Sequence, residues 1–129
     1  AARSFELIET RLSGEEASTL RGALGGKGPD PASAAILARE GNEAALRLWE
    51  EFGRALGVGI ATVVNVLGVE TFVIGGGISR SLDLFAEHAR RSALSHTYVR
   101  HEGSLRLIRA ELGDDAGIIG AACQALSCR

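Results

Sequence analysis

The sequence has no methionine, only two cysteines and two prolines, and a single tryptophan and tyrosine in 129 residues. It also lacks any uncharged apolar run of about 18 residues, which excludes a membrane-spanning helix. The longest apolar stretch, 58–69, is too short and carries glycine and asparagine. The first twenty residues have no apolar core, so no signal peptide is expected. Cys123 and Cys128 form neither a zinc pattern nor a C-x-x-C pair. They read as cytosolic thiols, with Cys123 on the inward face of a helix. A net charge of −2 gives no footprint for nucleic acid through this segment. With 46% hydrophobic and 23% charged residues, the chain is unlike a disordered, collagenous or coiled-coil sequence. Alanine stands first and methionine nowhere, so the expectation is a processed chain or a piece of something longer.

What the sequence has in quantity is glycine, 17 residues in clusters. Their placement divides the chain into a helical segment over 1–41, a long helix over 42–68 and a β-α-β-α unit over 69–129. In the first segment Phe5, Ile8 and Leu12 share one helical face. Ser13 and Glu16 make a capping box for a second helix reaching about Leu24. Asp30 caps a third, with Pro31 at its first position, and Gly41 ends it. The acidic residues Glu6, Glu9, Glu15 and Glu16 read as a solvated face.

Asn42 caps the long helix. Its stripe runs through Ala45, Leu48, Trp49, Phe52, Leu56, Ile60, Val63, Val64 and Leu67. Nearly every side chain over 58–67 is apolar, which predicts burial all round. Gly53, Gly57 and Gly59 each cost about 1 kcal/mol of helix propensity against alanine. That cost predicts close approach of another backbone.

Beyond the long helix, 70–74 reads as a strand stopping at Gly75, Gly76 and Gly77. Ser81 caps a helix with Phe85, Ala89 and Ala93 inward, and Leu105 and Leu107 open a second strand reaching Leu112. Gly113, Asp114 and Asp115 turn the chain into a last helix, with either aspartate as its cap and Ile118, Ile119, Ala122, Cys123 and Leu126 as its apolar side. A crossover of this length implies parallel strands joined right-handedly. Two such strands make no stable sheet alone, and a parallel sheet needs both faces covered. The chain is therefore expected to be the C-terminal part of a larger protein whose upstream segment supplies more strands.

Chemistry is expected at the two glycine turns. Backbone amides at Gly75, Gly76, Gly77, Ile78 and Ser79 have no Cβ in the way over the three glycines, which suits a phosphate or a ribose edge. The alternative is a tight strand-to-helix turn without a ligand. Gly75-x-Gly77 begins a dinucleotide fingerprint, but Arg80 takes the third glycine position and no acidic residue follows where the ribose would need it. No Walker A loop occurs. At the second turn Gly117, Gly120, Ala121 and Ala122 keep one helix face flat, which predicts tight packing across a mobile contact. His88, His96 and His101 fit no metal or catalytic pattern and read as surface residues.

The run Val73-Ile74-Gly75-Gly76-Gly77-Ile78-Ser79, with Leu112-Gly113-Asp114-Asp115-Ala116-Gly117-Ile118-Ile119-Gly120-Ala121-Ala122 about 35 residues later, resembles the C-terminal part of the ROK family. That family contains bacterial sugar kinases and sugar-responsive repressors. The family's "N-L-L-D-P" is matched by Val64-Asn65-Val66-Leu67, with Gly68-Val69 where Asp-Pro is usual. The resemblance covers about 38–126. It implies an α/β fold, part of an actin/hexokinase-like (ribonuclease H-like) lobe that is helix-rich with a short parallel β-α-β-α unit. Gly75, Gly76, Gly77, Ile78 and Ser79 would lie under the nucleotide. Gly113, Asp114, Asp115, Ala116, Gly117 and Gly120 would form the connecting motif at the hinge between lobes.

The family's phosphate loop, catalytic aspartate and cysteine-rich zinc motif have no counterpart here, so no residue is assigned to catalysis or to a metal. The resemblance thus implies the C-terminal ATP-binding half of a cytoplasmic sugar kinase, inactive alone. Its parent would use ATP with Mg²⁺ on a hexose or N-acetylated hexosamine, with zinc in the absent part, as a homo-oligomer, most simply a dimer. Two alternatives remain: the body of a ROK repressor, and a packing or dimerisation module whose glycines bind nothing.

Overall fold

The computed structural model describes residues 2–98 and 105–127, the side chains of 2–4 and of Asp114 excepted. Six α-helices and two strands follow in the order α1 (Ala2–Glu9), α2 (Gly14–Ala23), α3 (Pro31–Arg39), α4 (Glu43–Leu67), β1 (Thr71–Ile74), α5 (Leu82–His96), β2 (Arg106–Arg109) and α6 (Ala116–Ser127). Short 3₁₀ turns, Gly77–Ser81 and Gly113–Asp115, precede α5 and α6.

The expected caps set the starts of α2, α3 and α4. The Ser13 hydroxyl accepts the Glu16 amide, and the Glu16 carboxylate accepts the Ser13 amide. Asp30 Oδ1 accepts the amides of Ala32 and Ser33, and Asn42 Oδ1 that of Ala45. Gly41 and Gly68 close α3 and α4 at φ of 87° and 67°, the left-handed region that glycine enters without a Cβ penalty.

Helix α4 is the spine. Helices α1, α2 and α3 pack against it, and α5 lies along it. Phe5, Trp49, Phe52 and Phe85 interlock with ring centroids 4.8–5.8 Å apart. Each such pair is worth about 0.5–1.5 kcal/mol beyond the area it buries. The Trp49 Nε1–H, fully enclosed, has no acceptor among the described residues. Gly53 and Gly57 give the predicted close approach: a Cβ on Gly57 would stand 2.5 Å from the Ala89 carbonyl oxygen and from Ser92 Cβ, and one on Gly53 would stand 2.8 Å from the Phe85 carbonyl oxygen. The expectation fails at Gly59, where nothing comes within 4 Å.

The strands pair in parallel, Thr71 opposite Arg106 through Ile74 opposite Arg109. The second strand stops at Arg109, short of Leu112. Phe72, Ile74 and Leu107 join the core on the α5 side. Val73 and Ile108, opposite each other in register, stay exposed on the other face.

Four further expectations are corrected. The 58–67 stretch is not buried all round: Ile60, Ala61 and Val64 are buried, but Val66 and Leu67 are more than 70% exposed. Among the described elements α5 makes the principal contact with α4, and one helix covers one face. No residue of α6 is buried, and Cys123 is exposed, because no described element lies over that helix. Glu9 is not solvated. It is 3% exposed and held by Arg21 through two hydrogen bonds of 2.7 and 2.9 Å. Ser81 stands at the start of α5 but caps nothing by its side chain, because the 3₁₀ turn already brings the chain into the helix. His96 is on the surface and His88 is half-buried; His101 and Cys128 lie outside the described residues.

Candidate functional site

Both glycine turns leave the same end of the sheet. Parallel strands place their carboxyl ends side by side, and ligands of open α/β sheets bind outside those ends. Strand β1 runs into Gly75, Gly76 and Gly77, and β2 runs through Ala110 into the second turn. The Ala110 amide still donates to the Ile74 carbonyl at 2.9 Å. Beyond that bond the two 3₁₀ turns touch. Residues about 35 positions apart in sequence thus meet at one place.

The first turn is shaped by Gly76, at φ 69° and ψ −175°, a conformation essentially confined to glycine. Ser79, 2% exposed, braces it: its hydroxyl donates to the Gly76 carbonyl at 2.7 Å and its amide to the same oxygen at 3.0 Å. The amides of Gly75, Gly76 and Gly77 have no backbone acceptor among the described residues. A Cβ on Gly76 or Gly77 would meet nothing within 4 Å, and one on Gly75 only Ala110 Cβ at 3.7 Å. Open space over donor-bearing, side-chain-free backbone is what a phosphate or ribose needs for close approach. These residues fit a nucleotide.

Beside this turn lies a groove of about 420 Å³ between α3 and the Gly77–Ser81 segment, reached by Asp30, Ala35, Ile36, Gly77, Ile78 and Ser81. Neither periodicity nor motif pointed to α3. The Pro31–Ile36 face became a wall only when the fold set it against a turn more than forty residues away. Asp30 has its carboxyl held below the usual aspartate value by the Ser33 hydroxyl and amide, with a smaller contribution from the Ala32 amide. Arg39 ties the two walls, its Nη2 donating to the Arg80 carbonyl at 3.2 Å and to Asp83 Oδ1 at 3.1 Å.

At the second turn the cap expected of Asp115 is not made. No hydrogen bond from its side chain occurs among the described residues, and the 3₁₀ turn leads into α6 instead. The Asp114 alternative falls on a side chain outside those described. Gly117 and Gly120 face open space, so the tight packing predicted for this flat helix has no partner among the described residues. No group of three histidine, cysteine, aspartate or glutamate side chains suited to a metal occurs among them, and no helix there is long and apolar enough to cross a membrane.

Comparison with known proteins places this geometry in context. The model of the ROK family matches residues 8–127. A glucokinase of Streptomyces coelicolor is 33% identical over 109 residues, covering 78% of this chain and 33% of its own length. A glucokinase of Thermotoga maritima is 31% identical over 85 residues, covering 66% of this chain and 27% of its own. The chain thus spans about a third or less of these relatives. A ROK family glucokinase from Streptomyces griseus, solved with glucose and AMPPNP, superposes with a TM-score of 0.73 at 25% identity, covering 95% of this chain and 40% of that one. The architecture is the helix-rich α/β part of an actin/hexokinase-like fold.

Proposed function

The chain belongs to the ROK family, and from that premise we propose that it is the C-terminal, nucleotide-binding lobe portion of an ATP-dependent sugar kinase. The observation that carries this reading is the meeting of two glycine turns at one end of a parallel sheet, where the amides of Gly75, Gly76 and Gly77 have no backbone acceptor among the described residues and no side chain crowds the backbone. The glucokinase relatives and the AMPPNP bound to the Streptomyces griseus enzyme support it.

On this reading Gly75, Gly76, Gly77, Ile78 and Ser79 form the nucleotide face. The free amides orient the phosphate chain, while Ser79 holds the turn rigid so that little order is lost on binding. ATP supplies the γ-phosphoryl group for a hydroxyl of a hexose or N-acetylated hexosamine, a reaction carried by positioning and electrostatics. Gly113, Asp114, Asp115, Ala116, Gly117 and Gly120 form the connecting hinge, whose small residues let the lobes close. The family's phosphate loop, catalytic aspartate and zinc motif have no counterpart in this sequence, and on this reading Mg²⁺, any zinc and the catalytic base are supplied by other parts of the parent protein. The open faces of the sheet and of α6 are where those parts, or a second subunit, pack.

The test is a coupled assay of the product of the whole reading frame with ATP and a panel of hexoses, beside the isolated chain. The expected result is sugar-dependent ADP release by the whole product and none by the chain. Turnover by the isolated chain would refute the lobe assignment. A whole product that carries a helix-turn-helix head and binds sugar without turnover would make the parent a repressor.

A further inference from the structure

We propose that Arg39 is a positioning residue for the glycine turn. From the end of α3 it fixes the joint between that turn and α5, and so holds the amides of Gly75, Gly76 and Gly77 in place. The proposal rests on the nucleotide reading above and gives a role to a residue outside both turns.

Three glycines in a row have no side chains to fasten to a core, and glycine loses more freedom on ordering than any other residue. Local bonds close the turn: the Ser79 hydroxyl and amide on the Gly76 carbonyl, and the Leu82 amide on the Ser79 carbonyl. They span three residues each, so they shape the turn without setting its direction from α5. Ile78 rests against the core, and Arg39 supplies the directional tie. Its Nη2 donates to the Arg80 carbonyl at 3.2 Å, inside the 3₁₀ segment. The same nitrogen donates to both carboxylate oxygens of Asp83, at 3.1 and 3.3 Å, in the first turn of α5. Bending at Ser81 or Leu82 would separate these acceptors and break the contact. The anchor is itself fixed, because α3 is seated by the buried Ala34, Ala35 and Ala38.

Stability does not account for this arrangement. The Arg39 and Asp83 side chains are 48% and 59% exposed, and ion pairs so exposed add little to stability. What the contact changes is order, and a ligand that meets a preordered turn loses less on binding. Arg39 also lines the groove beside the turn, whereas Asp83 stands outside that lining. Asp83 therefore separates bracing from direct contact with a ligand, since its side chain acts on the turn through Arg39.

The experiment measures ¹⁵N order parameters of amides 75–82, and ADP affinity, for the wild-type chain, Arg39→Ala, Asp83→Ala, the double variant and Arg39→Lys. Either alanine variant is expected to loosen the turn amides and to weaken ADP about two- to tenfold, the cost of ordering a segment that was held before. The double variant is expected to lose no more than either single one, because both remove the same contact. Arg39→Lys keeps a donor-bearing cation and is expected to restore part of both signals. Urea unfolding is expected to stay unchanged throughout. Turn amides as ordered in Arg39→Ala as in the wild type would overturn the proposal. So would a loss of ADP affinity in Arg39→Ala that Asp83→Ala does not share, or a urea midpoint that falls with the turn's order. If the wild-type chain does not bind ADP, the nucleotide reading falls, and the order parameters alone decide the brace.

Discussion

A single methyl group separates two glycines of α4. At Gly57 an added Cβ would collide with the Ala89 carbonyl oxygen and Ser92 Cβ at 2.5 Å, whereas at Gly59 it would meet nothing. Gly57→Ala is therefore expected to destabilise the chain by about 1–3 kcal/mol, since overpacking outweighs the helix-propensity gain. Gly59→Ala is expected to stabilise it by about 0.5–1 kcal/mol. Urea unfolding of the two variants checks the opposite signs. Asp30 offers a second test at this scale. Its carboxyl is held below the ordinary 3.8 by hydrogen bonds from Ser33 and Ala32. A lowered folded value means that the cap's contribution is complete above the ordinary value and fades as pH falls through the lowered one. Asp30→Asn keeps a capping oxygen but has no proton to take up. Acid titrations followed by circular dichroism should show the wild-type chain losing stability relative to the variant only at the acidic end.

At the scale of elements, the caps were legible because each is a local contact. Ser13 with Glu16, Asp30 with Pro31, and Asn42 lie within four residues of what they hold, so spacing alone revealed them. Ser81 shows the limit of that reasoning. A serine before a helix reads as a cap, but the 3₁₀ turn entering α5 leaves its hydroxyl out of the cap. The glycine turn separates conformation from contact. Gly76 needs glycine for its backbone angles, so Gly76→Ala is expected to cost about 1–3 kcal/mol of stability. Gly77 has an ordinary backbone and open space around it. Gly77→Ala should leave thermal unfolding unchanged yet weaken nucleotide binding, because its methyl would stand where the phosphates approach. Calorimetry of both variants, with and without ADP, distinguishes the two roles.

For the molecule as a whole, the consequential feature is the apolar surface without cover. Val73 and Ile108 sit opposite each other on the open sheet face, and Val66, Leu67, Ile118 and Leu126 are also exposed. Exposed apolar patches of this kind mark surfaces that associate. The isolated chain is expected to bind a hydrophobic dye and to sediment above its monomer mass as concentration rises. Replacing Val73 and Ile108 by lysine should reduce both effects without unfolding the α4–α5 core. A monodisperse, dye-silent wild-type chain would contradict this expectation.

The sequence alone determined what depends on neighbours along the chain. It specified the helices and their caps, the two parallel strands, the glycine turns and the family. Each is written in short spacings: helical periodicity, three- and four-residue capping distances, and a motif pair that needs no knowledge of packing. Only the tertiary structure decided which glycines meet a backbone, that Glu9 is buried against Arg21, and that α3 walls a groove beside Gly77. It also decided that one face of the apolar half of α4 and all of α6 stay open. These outcomes depend on which residues far apart in sequence come to share a surface. An apolar side chain records that it can be buried, while the element that lies over it is set by the packing of the whole chain.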